Sequence, residues 1–278
     1  MNSYKLIGYP LGHSMSPWIH EHLFAMSGEK AEYALFEIAP ESLEQTIPEL
    51  KQLNGFNITI PHKVAIIPYL DELDKTAERY HSVNCVVNKN GKLIGYNTDC
   101  VGFLRSVPEI QKLDNILLIG SGGVGRMMAT EAYLREANLT IVEKNIAVAE
   151  ALKQELESPH YENTIRVLDS VPDEHFDLLM NATPVGMFPK VDNCPVSDEI
   201  IANCDKVFDV IYNPTETLLV KKAKAMGKIA VGGSAMLVWQ AVNAHEIWYG
   251  FDYDPHQIDE LVKEMEKEVN VSVSNGDK

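Results

Sequence analysis

The run Gly120-Ser121-Gly122-Gly123-Val124-Gly125 fits the spacing Gly-x-Gly-x-x-Gly. The chemistry open to such a run is to cradle a pyrophosphate. The first glycine permits a tight turn, the second lets the backbone approach the phosphates, and the third lets a helix pack closely on a strand. The setting agrees: the apolar run 116–119 reads as a strand leading in, and 126–135 as the helix that follows. Gly120, Gly122, Gly123, Val124 and Gly125 are therefore candidate dinucleotide contacts. About 20 residues further on, where a ribose-reading acid is expected, Glu143-Lys144 ends the next apolar run. Glu143 can accept hydrogen bonds from a ribose 2′-hydroxyl and would repel a 2′-phosphate, which favours NAD. Lys144 could pair with a 2′-phosphate and favour NADP. Glu143 sits at the strand tip and carries the expectation of NAD. The plain alternative is a solvated Glu–Lys pair.

Four further clusters carry groups capable of chemistry. In Gly12-His13-Ser14-Met15-Ser16-Pro17, two hydroxyls just ahead of a helix could both reach an anion at its N-terminus. Ser16 as a helix cap before Pro17 would explain the same residues. In 57–63, Asn57 and Thr59 share one face of a strand. Lys63 opens a helix, where the dipole disfavours a cation, so it has a task or a partner, or else is an ordinary surface lysine. Ser82-Val83-Asn84-Cys85 is the third cluster. In the fourth, 97–102, Asp99 stands ahead of a helix and could be its cap.

The elements that must position these groups alternate along the chain. Strands are predicted at 5–7, 34–38, 56–59, 85–87 and 93–96, with helices at 17–27 and 42–53 between them. Asn90-Gly91 is a hairpin signal. A second series has strands at 116–119, 139–142, 165–167, 178–180, 207–210 and 229–231, followed by helices at 235–249 and 255–269, with 270–278 a frayed tail. Such alternation argues an α/β fold with two domains and mostly parallel sheets. The 278 residues suffice for two cores, and 45% hydrophobic with 23% charged residues is an ordinary globular balance. A net charge of −16 repels phosphate backbones, which argues against nucleic acid as a partner. No apolar run reaches the ~18 residues of a membrane span. The first residues read as a strand rather than a leader, so a cytoplasmic location is the default. The four cysteines form no Cys-x-x-Cys pair and the nine histidines do not cluster, so free thiols and no metal are expected. His20 and His22 fall on different helix faces. A homodimer is compatible with the chain, because closed pairs are the commonest assembly, but no residue argues for one.

Taken together, the motifs GYPLGHSMSP, GFNITIPHK, SVNCVVNKNGKLIGYNTD, GSGGVG, NATPVGM, FDVIYNPTETLL and GGSAMLVWQA, in this order, resemble the shikimate dehydrogenase family, including its quinate/shikimate members. The resemblance runs from Gly8 to about Gly250. It implies a substrate domain split in sequence, 1–102 plus 236–278, around a Rossmann-type dinucleotide-binding domain, 103–235. It further implies that Ser14 and Ser16 bind a substrate carboxylate with Tyr212 near it, and that Thr59, Asn84, Asp99 and Gln240 contact ring hydroxyls. Lys63 and Asp99 would be the catalytic pair. Asn181, Ala182 and Thr183 would lie near the cofactor and Gly233 beside the nicotinamide.

The implied activity is reversible reduction of 3-dehydroshikimate to shikimate with NAD or NADP, a step of the shikimate pathway to aromatic amino acids. Two departures bear on it. NADP-specific members of the family typically carry Asn-Arg-Thr where this chain has Glu143-Lys144-Asn145, which supports NAD. Cys100 and Ala235 stand where the family has glycines. An NAD-dependent enzyme acting mainly on quinate would share every motif. A silent dinucleotide-binding regulator would be expected to lack Lys63 or Asp99, and both are present.

Overall fold

A computed structural model describes residues 2–12, 14–108 and 113–274. Met1 of the first strand, His13 of the first motif and 275–278 of the expected tail lie outside the described residues. The chain divides into two units, Met1–Gly102 with Val238–Met265, and Phe103–Leu237 with Glu266–Lys278.

The first series runs β1 (Asn2–Gly8), α1 (Ser16–Ser27), β2 (Ala31–Glu37), α2 (Leu43–Leu50), β3 (Gly55–Ile58), α3 (His62–Ala65), β4 (Glu72–Leu73), α4 (Lys75–Tyr80), β5 (Cys85–Lys89), β6 (Lys92–Tyr96) and α5 (Asp99–Ser106). Its sheet has the order β2-β1-β3-β5-β6-β4. β1 pairs parallel with β2 and β3, and β4 with β6, whereas β5 is antiparallel to β3 and β6. The expected hairpin joins β5 to β6: Asn90 and Gly91 take φ of 56° and 87°, the left-handed pair that suits strand twist.

Period-two alternation gives this sheet two covered faces. Ile7, Phe56, Ile58, Val86 and Leu93 pack against Leu43, Ile47 and Leu50 of α2. Tyr4, Cys85 and Val87 point the other way, onto Phe24 of α1 and onto Ala244 and Trp248. Phe56 is fully buried, which by itself contributes about 1.5–3 kcal/mol. Asn57, between Phe56 and Ile58, therefore turns a polar side chain toward the face that α1 covers.

The second series runs β7 (Asn115–Ile119), α6 (Gly123–Tyr133), β8 (Asn138–Val142), α7 (Ile146–Leu156), β9 (Ile165–Leu168), β10 (Phe176–Asn181), α8 (Asp198–Ala202), β11 (Cys204–Asp209), α9 (Leu218–Ala225), β12 (Ile229–Val231), α10 (Ser234–Tyr249) and α11 (Pro255–Ser274). All of its strand pairs are parallel, in the order β12-β11-β10-β7-β8-β9. Counted within this series, that is the 3-2-1-4-5-6 order of doubly wound dinucleotide folds. The strand order reverses between β7 and β10, and ligands of such folds bind beyond the strand ends at that point. Leu117, Leu179 and Val207 are fully buried, as expected of strands covered on both faces.

α11 buries Ile258, Leu261, Met265 and Val269 at helical spacing. It runs on through Asn270 to Ser274, so the start of the expected frayed tail is helical: no glycine or proline interrupts the chain before Gly276. No helix among the described residues is long and apolar enough to cross a membrane.

Candidate active site

Lys63 lies in the short helix α3 and Asp99 opens α5. Lys63 Nζ donates to Asp99 Oδ2 at 2.7 Å, with side chains 22% and 15% exposed. The other oxygen, Oδ1, accepts from Asn84 Nδ2 at 2.8 Å. Asn84 is itself fixed: its Nδ2 also donates to Thr98 Oγ1 at 3.0 Å, and its Oδ1 accepts the Thr98 backbone N–H at 2.6 Å. Lys63 is anchored through its backbone, whose carbonyl accepts the Val83 N–H at 2.8 Å. The three residues singled out from separate sequence clusters thus form one hydrogen-bonded chain. A cation, a carboxylate and an amide held in this way can exchange a proton with a bound hydroxyl and grip its neighbours. Thr59 follows β3, half-buried, and its carbonyl accepts the His62 N–H at 3.0 Å.

Ser16 is buried at the first position of α1, and Ser14 Oγ accepts its backbone N–H at 3.2 Å. Met15, not Ser16, takes the cap position. One helical turn beyond Ser16, on the same face, stands His20, fully buried, its ring stacked on Tyr33 at 3.9 Å. His20 Nδ1 lies 2.8 Å from Nε2 of His245 on α10, and His245 Nδ1 lies 2.7 Å from the Tyr253 hydroxyl, which donates to the Leu23 carbonyl. Burial pushes His20 down to about 3 and His245 well below the usual range, so both rings are neutral. Tyr33 donates to Asn57 Oδ1 at 2.9 Å, and Asn57 Nδ2 donates to the Asn84 carbonyl at 3.2 Å. The wall behind Ser16 thereby connects to Asn84. Sequence reasoning did not find Tyr33 or the His20–His245 pair. The i, i+4 spacing of Ser16 and His20 was the available signal. Gln240 lies on α10, half-buried.

In the second unit, the glycine run stands at the reversal between β7 and β10. Gly120 has φ of 88°, a conformation open in practice only to glycine. A methyl on Gly125 would lie 2.2 Å from the Gly120 carbonyl oxygen, so α6 meets the turn with no room for a side chain. By contrast, methyls on Gly122 and Gly123 would meet nothing within 4 Å. Gly122 is the N-cap of α6 without a side-chain cap, which leaves first-turn N–H groups, near Val124, to a ligand. This open cradle fits a pyrophosphate.

Glu143 directly follows β8. Its Oε2 accepts the Ser121 N–H at 2.8 Å and the Ser121 hydroxyl at 3.1 Å, and its Oε1 accepts the Asn145 N–H at 3.1 Å. The Ser121 N–H, foremost among these, holds its carboxyl below the usual range. Lys144 is exposed. Asn181 is buried at the end of β10, and Ala182 donates its N–H to the Ile119 carbonyl at 2.8 Å, so the 181–183 turn lies against β7. Asn181 Oδ1 accepts the Thr183 hydroxyl at 2.7 Å. Tyr212 is half-buried, its phenol pushed up by burial, and the Gly233 N–H donates to the Ile211 carbonyl at 2.9 Å.

No disulfide joins the four cysteines. Among the described residues, His175, Asp177 and Asp205 offer ligand atoms within 4.8 Å of one another. They stand at the start of β10 and β11, away from the strand ends that carry Asn181, and Asp177 already accepts the N–H groups of Asp114 and Asn115.

The shikimate dehydrogenase substrate binding domain, as a family, matches residues 6–86. A shikimate dehydrogenase (NADP(+)) of Caldanaerobacter subterraneus subsp. tengcongensis is 38% identical over 271 residues, 94% of this chain and 96% of its own. The crystal structure of shikimate 5-dehydrogenase from Thermus thermophilus, in complex with NADP(H) and shikimate, has a TM-score of 0.83 at 29% identity, covering 95% of this chain and 100% of that one. The Listeria monocytogenes enzyme, in complex with shikimate and NAD, has a TM-score of 0.82 at 28% identity, covering 94% and 96%. The NADP(+) in the first relative's name lends no support to the NAD preference expected from Glu143. Fold, ordered motifs and relatives agree that the chain belongs to the shikimate dehydrogenase family.

Proposed function

We propose that the chain catalyses the reversible interconversion of 3-dehydroshikimate and shikimate with a nicotinamide dinucleotide. The observation that carries this reading is the hydrogen-bonded chain Lys63–Asp99–Asn84. The bound dinucleotide supplies hydride donation or acceptance at nicotinamide C4. The protein's task is the proton and the geometry. In the reducing direction the Lys63 ammonium delivers a proton to the carbonyl oxygen as that oxygen gains charge; in the oxidising direction the pair receives it from the alcohol. Asp99 keeps Nζ on station and accepts a hydrogen bond from a ring hydroxyl, with Asn84 fixing the carboxylate plane. Thr59 and Gln240 hold the remaining hydroxyls. Ser14 and Ser16 take the carboxylate at the start of α1, and a role for Tyr212 in substrate binding rests on its motif alone.

For the dinucleotide, Gly120, Gly122, Gly123, Val124 and Gly125 would hold the pyrophosphate, Glu143 and Lys144 the adenosine ribose, and Asn181, Ala182, Thr183 and Gly233 the nicotinamide end. NAD is the preferred form in this reading, on Glu143 alone. Its ionised carboxylate stands next to the glycine turn and would repel a 2′-phosphate.

The test follows the near-ultraviolet absorbance of reduced nicotinamide with shikimate or quinate, each with NAD⁺ and NADP⁺. Shikimate with NAD⁺ is expected to be fastest. Glu143→Ala is expected to move the preference toward NADP⁺ by about tenfold, the worth of one like-charge contact of ~1.4 kcal/mol. Faster turnover with NADP⁺ in the wild type would remove Glu143 as the selector. No turnover with either acid would remove the proposed activity.

A further inference from the structure

The chemistry above gives no role to the fully buried carboxyl of Asp209. Asp209 ends β11 with no exposure, in register with Asn181 on β10. Its Oδ1 accepts from Asn181 Nδ2 at 3.0 Å and from the Ile211 N–H at 3.2 Å, and its Oδ2 accepts from Thr217 Oγ1 at 2.7 Å. Each donor belongs to a different piece of the second unit. Asn181 shapes the 181–183 turn, because its own Oδ1 accepts both the N–H and the hydroxyl of Thr183, at 3.1 and 2.7 Å. Ile211 precedes Tyr212, and its carbonyl accepts the Gly233 N–H at 2.9 Å. Thr217 caps α9 by accepting the Val220 N–H at 3.3 Å. One carboxylate therefore ties the turn after β10 to the stretch between β11 and α9, with Asn181 lying 28 residues away in sequence. An ionised carboxylate held by three uncharged donors is a costly thing to bury, and packing alone does not call for it.

We propose that Asp209 is a positioning residue of the dinucleotide site: its ionised carboxylate holds the 181–183 turn and the Ile211–Gly233 contact in the geometry that receives the nicotinamide end, and its protonation releases them. The inference rests on the dinucleotide reading of this unit. As a carboxylate, Asp209 is an acceptor only and matches three donors. Once protonated, it no longer matches them: a proton on Oδ1 faces the Asn181 and Ile211 N–H groups, whereas one on Oδ2 makes Thr217 Oγ1 the acceptor and turns its hydroxyl hydrogen away, and either way the remaining bonds lose the strength that the charge lent them. Burial pushes its carboxyl up to about 6, against the pull of the Thr217, Ile211 and Asn181 bonds. The neighbours do not share this titration. Asn181 on β10 and Thr217 at the start of α9 carry no charge. The Tyr212 phenol and the Cys194 thiol are both pushed up, burial being the largest cause in each.

The experiment is a fluorescence titration of the full chain with NADH and with NADPH across pH 5 to 8. For the wild type, the Kd of the tighter dinucleotide is expected to rise about tenfold toward the acid end, with its midpoint near 6, the result of exchanging hydrogen bonds to a charged group for weaker neutral ones. Asp209→Asn is expected to bind about tenfold more weakly at pH 8 and to lose that pH dependence. In steady state its dinucleotide KM should rise while its shikimate KM stays within about twofold of the wild type, a split that general loosening of the fold would not produce. A folded Asp209→Asn that binds like the wild type, or that keeps the wild-type pH dependence, overturns the proposal. Should that variant fail to fold, the wild-type series still decides, since a flat Kd across the range is equally contradictory. Wild-type protein that binds neither dinucleotide at any pH removes the underlying reading and this inference with it.

Discussion

Lys63→Ala is expected to lower kcat for shikimate oxidation by at least about a hundredfold, the lower range for loss of general acid–base help. The substitution removes the ammonium bonded to Asp99 and leaves a half-buried carboxylate with Asn84 as its side-chain donor. The shikimate KM should change much less, because the residues assigned to the carboxylate and hydroxyls are untouched. Lys63→Arg should not restore the rate: a planar guanidinium is longer, and it does not give up its proton near neutral pH. Stability should be little affected, since an ion pair that is partly solvated contributes about 1 kcal/mol or less. Stopped-flow or steady-state kcat with a parallel thermal melt checks both halves. Near-wild-type turnover would take Lys63 out of the mechanism.

Gly125→Ala is expected to weaken dinucleotide binding by more than about tenfold and to lower the melting temperature as well. The added methyl would lie 2.2 Å from the Gly120 carbonyl oxygen and 2.9 Å from its carbon, both backbone atoms that cannot swing aside. α6 must lift from the turn, and overpacking of this kind costs about 1–3 kcal/mol. Gly122→Ala provides the contrast. Its methyl meets no protein atom within 4 Å, so the ligand-free melt should match the wild type while dinucleotide binding weakens, because the methyl occupies the cradle itself. Fluorescence titration and ligand-free melts on the two variants separate the roles. Equal loss of stability in both would mean that the open face of the turn has a structural purpose.

Much of this was legible in the sequence where the determinants are local. Asn90-Gly91 specified the β5–β6 hairpin because two adjacent residues had to take positive φ. The glycine run marked the turn from β7 to α6 because Gly120 takes a positive φ and Gly125 has no room for a side chain. That the sheets are mostly parallel was accessible from the alternation of elements, but the strand order was not, and β4, two residues long, carries no periodicity to read. The buried polar links were invisible for a different reason. His20 and His245 are 225 positions apart, and Asn181 and Asp209 are 28 apart. Only the packed fold brings such pairs together. Asp209 lay within a quoted motif, and an acid closing the apolar run Val207-Phe208 was a sign that it had donors to satisfy. Lys63, Asp99 and Asn84 were singled out separately, yet no spacing rule could show that they join in one chain.

Transfer of label reports on the chemistry most directly. The protein would be given 3-dehydroshikimate and reduced dinucleotide carrying deuterium at both C4 positions, and the shikimate formed would be weighed by mass spectrometry. Shikimate heavier by one deuterium is the expected result, since the hydride comes from C4 while the hydroxyl proton comes through Lys63 from solvent. Unlabelled shikimate, or none at all while an authentic family member run alongside produces the labelled acid, would contradict the proposed reaction.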